Sequence, residues 1–329
     1  MRLFLPGVLM VLVSAEVDGL EEPPELVSLR QTGRWDSTPT GFRIIALSQL
    51  ADGCAFQGRA VPSRAAAARS CVLDLERLAR RTQRSRPEEV ADGLWLSHFN
   101  LIMGAEDAVG GCSDPALHER VSQRLRALSL GDAHAHAPSY ATMKLRWPAD
   151  QAATLASLAR FDRAHGQHLV EEPLARWEAQ LQGSMDEARR LPRSEVTGRA
   201  GSALMARGCA QSFMTRYVAE VDAPLAKTFW APYVEQYLAR HGPLVGFREW
   251  PRGIERRADA DSGPIVEGVG AAASAFGIAA ARAMGEGLLA AQLQASADLV
   301  LAVGVGGSAA QGLLPASIRF VGRWQPAVR

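Results

Sequence analysis

Four residues have the types and setting for proton transfer: His98, Asp150, Glu249 and Asp261. Asp150 follows Trp147-Pro148-Ala149 at the head of the Ala-rich run QAATLASLARFDRAHG, and Asp261 precedes the run from Gly268 to Ala283. Each carboxylate is expected at the start of a helix, after a loop. If the two loops share one rim, one acid can donate a proton while the other accepts one. Asp is also a favoured helix cap, so the same positions suit a purely structural role. His98 lies in the apolar context Leu96, Phe99, Leu101 and Ile102. A buried imidazole facing a carboxylate is a proton carrier near neutral pH; a satisfied core histidine is the plainer reading.

Around these sit candidate ligand contacts. Arg248, Glu249 and Trp250 are consecutive, Trp147 stands three residues before Asp150, and Trp95 is a further aromatic candidate. An aromatic wall suits a sugar or an isoprenoid equally. Arg207, in LMARGCAQSF, is a lone charge and needs an acidic partner, with Asp261 or Glu249 expected. Asp259 is expected to be exposed. The segment Asp132–His136 has HxH spacing, but no third ligand is evident, so it reads as a solvated turn and no metal is assigned. The glycines of VGVGGSAAQG (Gly304, Gly306, Gly307, Gly312) have neither a leading strand nor a following acid, which excludes a dinucleotide loop, and no cofactor is expected. Cys209 in its small-faced helix reads as a buried apolar group.

The elements that must position these residues read as helices throughout. Apolar positions recur at helical spacing from Gly41 onward, and period-2 alternation is scarce. Helices around Leu96, Ala156, Ala210 and Ala275 are small-faced and poor in charge, while those between them are amphipathic. Inner and outer layers of an all-α, α/α toroid would alternate in this way, here as a six-hairpin-like and incomplete one. Expected helices include 65–81, Pro173 to about Arg190, 202–219, 223–240 and 268–283.

The chain has 329 residues, 47% of them hydrophobic, which is enough for a large core. Lys plus Arg is 36 and Asp plus Glu is 35, a balance that gives no reason to expect nucleic acid or an anionic membrane as partner. A small-molecule ligand is the expected partner, with oligomerisation left open. Arg2, the apolar run Leu3 to Val13 and the small residues to Ala15 make residues 1–15 a signal peptide, or alternatively an anchor. Residues 16–40, rich in Glu, Pro, Thr and Gly, read as a leader, and 41–329 as one domain. Export to the periplasm or outside puts the four cysteines where bridges form. Cys54 with Cys71 is favoured, because the gap suits adjacent helix ends; four cysteines allow three pairings. The uncharged run 299–318 contains Gly, Gln, Ser and Pro and reads as packed helix and loop, so no span is expected after signal removal.

The segments SHFNLIMGAEDAVGG (97–111), LASLARFDRAHG (155–166) and REWPRG…DADSG…ASAFGIAAARAMG (248–285) resemble the linalool dehydratase-isomerase family in order and rough spacing. The resemblance implies an exported α/α toroid with a pocket at one mouth. It gives His98 the place of a pocket histidine and makes Cys54 and Cys71 the two halves of a disulfide. Asp150 stands where the family has a catalytic cysteine, and Ala141 falls near the place of a second. Ile44 and Leu50 replace an early Asp and Tyr pair. The Cys54–Cys71 stretch is also shorter. The expected activity is lyase/isomerase- or hydrolase-like acid–base chemistry on a small neutral terpenoid or sugar. The alternative is a toroid that binds a ligand or partner without turnover.

Overall fold

A computed structural model of the chain describes residues 19–197, 204–302 and 312–328. The signal or anchor segment, residues 1–15, lies outside the described residues, as do Gly304, Gly306 and Gly307. Among the described residues the chain forms twelve α-helices and three short antiparallel hairpins. None of these helices is long and apolar enough to cross a membrane.

The helices are α1 (Pro24–Thr32), α2 (Thr40–Ala60), α3 (Ala65–Arg80), α4 (Gly93–Asp107), α5 (Pro115–Gly131), α6 (Pro148–His165), α7 (Glu171–Leu181), α8 (Gly208–Val221), α9 (Ala223–Tyr237), α10 (Ala271–Ala283), α11 (Gly287–Ala302) and α12 (Leu313–Trp324). The even-numbered ones pack in sequence: α2 on α4, α4 on α6, α6 on α8, α8 on α10, α10 on α12, and α12 back on α2. Most of the odd-numbered ones lie against them, α3 on α2 and α4, α5 on α4 and α6, α9 on α8, α11 on α10, while α7 packs on α5. This is the physical sense of the two sequence types. Helices α4 and α6 are buried along nearly their whole length, whereas α3 and α7 bury one face.

Small residues let the even helices approach closely. A Cβ on Gly53 would stand 2.4 Å from the Phe320 ring, and one on Gly208 would stand 1.9 Å from the Arg248 carbonyl oxygen. Gly53→Ala therefore forces α2 and α12 apart and is expected to cost about 1–3 kcal/mol in chemical denaturation. Cys54 and Cys71 are bridged, joining α2 to α3 with 6.4 Å between their Cα atoms, and Cys112 and Cys209 are free. Removing the bridge as the double Cys54→Ala, Cys71→Ala variant is expected to lower unfolding free energy by about 2–4 kcal/mol. The same denaturation curves, with and without reductant, check this; reductant should not affect the double variant.

Several boundaries differ from expectation. The leader contains α1, which packs on α12. The helix expected from Pro173 stops at Leu181, and Met185–Asp186 (β1) pairs with Leu191–Pro192 (β2). Helix α9 stops at Tyr237 because Leu238–His241 (β3) turns through Gly242, at φ 60°, to pair with Leu244–Phe247 (β4). Helix α10 starts only at Ala271, since Ile265–Val266 (β5) and Val269–Gly270 (β6) form a hairpin before it.

Candidate functional site

The first turns of α2, α4, α6, α8, α10 and α12 open into one cavity of about 1370 Å3. Its wall is mainly apolar, with Phe42, Ile45, Leu94, Phe213, Phe276 and Ile318 among the large side chains. The loop that precedes α10 contributes Ala258 to Asp261, and the loop before α6 contributes Tyr140, Leu145 and Trp147.

Asp150 and Asp261 both line this cavity, as do Arg207 and Trp147. Asp150 is the third residue of α6, after Pro148 at the first position, where proline fits the helix start. It is not the cap of α6: that position is Trp147, and no side chain caps the helix. The Asp150 side chain is buried, and its Oδ2 has no hydrogen-bond partner among the described residues. Burial pushes the Asp150 carboxyl up to about 7, the Asp261 carboxylate adds to the rise, and the Ser139 hydroxyl opposes it. The positive end of α6 also opposes it.

Asp261 is half-exposed at the mouth. Burial raises its carboxyl, neighbouring Asp259 adds to this, and Arg207 opposes it. Arg207 organises the acidic loop: Nε donates to Glu249 Oε1 at 2.8 Å, Nη2 to Asp259 Oδ1 at 2.8 Å, and Nη1 stands 3.7 Å from Asp261 Oδ2. Both expected partners of Arg207 are thus present, together with Asp259, which is exposed as expected.

Glu249 is fully buried and lies behind the wall rather than on it. Besides Arg207 it accepts the Cys209 backbone N–H at 3.2 Å and the Cys209 thiol at 3.1 Å. Burial raises the Glu249 carboxyl, and Arg207 opposes the rise. Cys209 reaches the cavity, but burial and the Glu249 carboxylate push its thiol well above the usual range, so it stays protonated. Trp250 is buried beside the site, with the Arg207 and Arg256 guanidinium groups 4.8 and 5.3 Å from its ring. Arg248 bridges to Val269 through its backbone and is not on the wall. Trp95 donates to Thr82 and stacks on Phe99, away from the cavity.

His98 is likewise behind the wall. It packs against Phe213, which does line the cavity, and Nδ1 lies 2.6 Å from the Ser48 hydroxyl. Burial, with Arg216 and Arg160 adding, depresses its imidazole to about 3. Its surroundings therefore favour the neutral imidazole, and its Nε2 has no hydrogen-bond partner among the described residues.

Two features were not read from sequence. Tyr140 lies on the wall, edge-on to Trp147 with ring centroids 5.8 Å apart. Its signal was position alone, in the loop just ahead of Asp150. Below the cavity, Asp52 of α2 accepts from Arg160 of α6, at 2.5 Å, and from Arg216 of α8. Arg160 also donates to Glu220 at 2.8 Å, and Arg216 to Gln325 at 2.8 Å.

No known family matches this sequence, and no curated protein matches it either.

Proposed function

We propose that the six even-numbered helices form the inner ring of an α/α toroid and that the cavity at their N-terminal ends is an acid–base active site. The cyclic order of helix contacts supports the first part. One observation carries the second: a buried carboxyl, Asp150, with an unpartnered oxygen on an apolar wall and an affinity for its proton suited to neutral pH.

The chemistry we infer is elimination or isomerisation of a small apolar alcohol. Asp150 donates its proton to the substrate hydroxyl. The C–O bond breaks with its electron pair on the departing water. Asp261 removes a proton from the neighbouring carbon, leaving an alkene, and water then carries that proton from Asp261 to Asp150, which restores both groups. Arg207 favours the charged form of Asp261, and the faces of Phe213, Phe276 and Trp147 would stabilise positive charge on carbon. A mainly apolar wall, with Ala and Leu its most numerous residues, favours an isoprenoid-like alcohol over a sugar, which needs many polar contacts. The resemblance to linalool dehydratase-isomerases points the same way, and Asp150 would take over the place of a thiol. The Cys54–Cys71 bridge supports export to an oxidising compartment.

The test is product analysis with a panel of terpene alcohols and of glycosides, using the parent and Asp150→Asn. The proposal expects alkene or rearranged alcohol from a terpenoid, and turnover about 10²- to 10⁴-fold lower in the variant with binding kept. Turnover that survives the substitution removes Asp150 from the chemistry. Binding without turnover in the parent selects the second reading, a non-catalytic binding toroid, which is favoured by the way Arg207, Glu249 and Asp259 tie down the acidic loop.

A further inference from the structure

The ends of α4 and α6 away from the cavity hold a second cluster. Asp107 is the last residue of α4, His165 the last of α6, and His118 lies in the first turns of α5. Asp150 and His165 are about 22 Å apart along α6, so this cluster is separate from the cavity. Asp107 Oδ2 stands 3.0 Å from His118 Nδ1 and 3.0 Å from His165 Nε2.

We propose that Asp107, His118 and His165 bind one zinc ion, which clamps the ends of α4 and α6 to the start of α5. Two nitrogens and one carboxylate oxygen are a common zinc donor set. Donors that share one ion tetrahedrally at about 2.0–2.2 Å lie roughly 3.3–3.6 Å apart, so a few tenths of an ångström of side-chain adjustment from the 3.0 Å of Oδ2 to each nitrogen would seat the ion.

Three independent observations point to a cation. His118 is fully buried, and neither of its ring nitrogens makes a well-directed hydrogen bond among the described residues. Its Nδ1 is near Oδ2 yet off the line that an N–H···O bond requires. Ligands of one metal stand in that relation, since each lone pair aims at the ion and not at its neighbour. The Asp107 carboxylate is held from behind by the Cys112 N–H, which donates to Oδ1 at 2.8 Å, while Oδ2 faces the site and shares a 3.0 Å hydrogen bond with His165 Nε2 that a bound cation would replace. The C-terminal ends of α4 and α6, both electronegative, converge there. His165, 27% exposed, gives an entry path and leaves a fourth position to water.

The experiment uses the full chain without a histidine tag, stripped with chelator and titrated with Zn2+ by calorimetry and thermal melting. The parent should take up one Zn2+ per chain and melt higher with it. Asp107→Asn and His165→Gln should each weaken binding by more than the about 10–100-fold typical of an outer partner. His134→Ala, in the loop with HxH spacing, should bind as the parent does. His165→Gln alters a partly exposed side chain, so it decides the matter should Asp107→Asn fail to fold. Failure of the parent to bind, binding by His165→Gln equal to the parent's, or loss of binding with His134→Ala overturns the assignment.

Discussion

At pH 8 the Asp150→Asn protein melts above the parent, and the difference shrinks and then reverses as the pH falls towards 4. The sign follows from linkage. Folding raises the Asp150 carboxyl from 3.8 to about 7, so the folded state holds a proton over that window that the unfolded state has released. Parent stability from this group is full below about pH 4, falls as pH rises, and levels off above about 7. The whole window corresponds to about 4 kcal/mol, as an order of magnitude for a buried group. Asparagine never ionises, so the variant escapes this loss at high pH. It leaves a buried amide short of partners, at about 1–3 kcal/mol, and so falls below the parent in acid. Thermal melts of both proteins from pH 4 to 8 give the difference curve. A flat curve means that Asp150 is ionised in the fold, and the acid role proposed for it falls with that.

Asp52→Ala is expected to lose about 3–5 kcal/mol of unfolding free energy, the usual consequence of removing one partner of a buried ion network. Asp52 is 1% exposed and receives two guanidinium groups from different helices. Its loss leaves Arg216 with neutral acceptors and Arg160 with Glu220 alone. Glu172→Ala, which breaks the half-exposed pairs with Arg126 and Arg176, should change stability by less than about 1 kcal/mol. Urea denaturation of both variants separates the two cases. A loss below about 1 kcal/mol for Asp52→Ala would mean that the charges are solvated in solution. Asp52→Leu with Arg216→Met is the complementary double variant, since apolar replacement of buried charges is often tolerated.

Helix periodicity and the alternation of small-faced with amphipathic segments were enough to read a helical chain and to place Asp150 at the head of α6, but Asp261, expected at the head of a helix, stands in a turn ahead of the β5–β6 hairpin that precedes α10. Asp150 lines the cavity because the even helices start at the same end, and Asp261 because the loop before α10 reaches that end. The Arg207 partners were legible because a lone charge in an apolar stretch must be neutralised, although Arg207 stands just before α8, which starts at Gly208, and not within the expected 202–219 helix. Other features were hidden for physical reasons. Asp52, Arg160 and Arg216 pair across three helices, so no local pattern marks them. Asp107, His118 and His165 likewise come from three helices, whereas the HxH spacing of His134 and His136 lies in a loop to which no metal is assigned. The β3–β4 hairpin was read as the tail of a helix, because Leu238–Arg240 has no strong breaker before Gly242. The apolar neighbours of His98 are evident in the sequence, but only packing shows that it lies against Phe213, which lines the cavity while His98 does not.

The return of α12 to α2 sets a kinetic condition on the whole molecule. The Leu313 N–H donates to the Asp36 carboxylate across 277 positions of sequence, and the Phe320 ring fills the notch at Gly53. Contacts at that separation form only after most of the chain has been confined, and their loop entropy is among the largest the fold must overcome. Until they form, the apolar flanks of α2 and α10 stay open to water and to other chains. Refolding should therefore show a slow, concentration-sensitive phase, with recovery falling as protein concentration rises. Variants that loosen the α2–α12 seam, Gly53→Ala among them, should aggregate during refolding at protein concentrations at which the parent recovers.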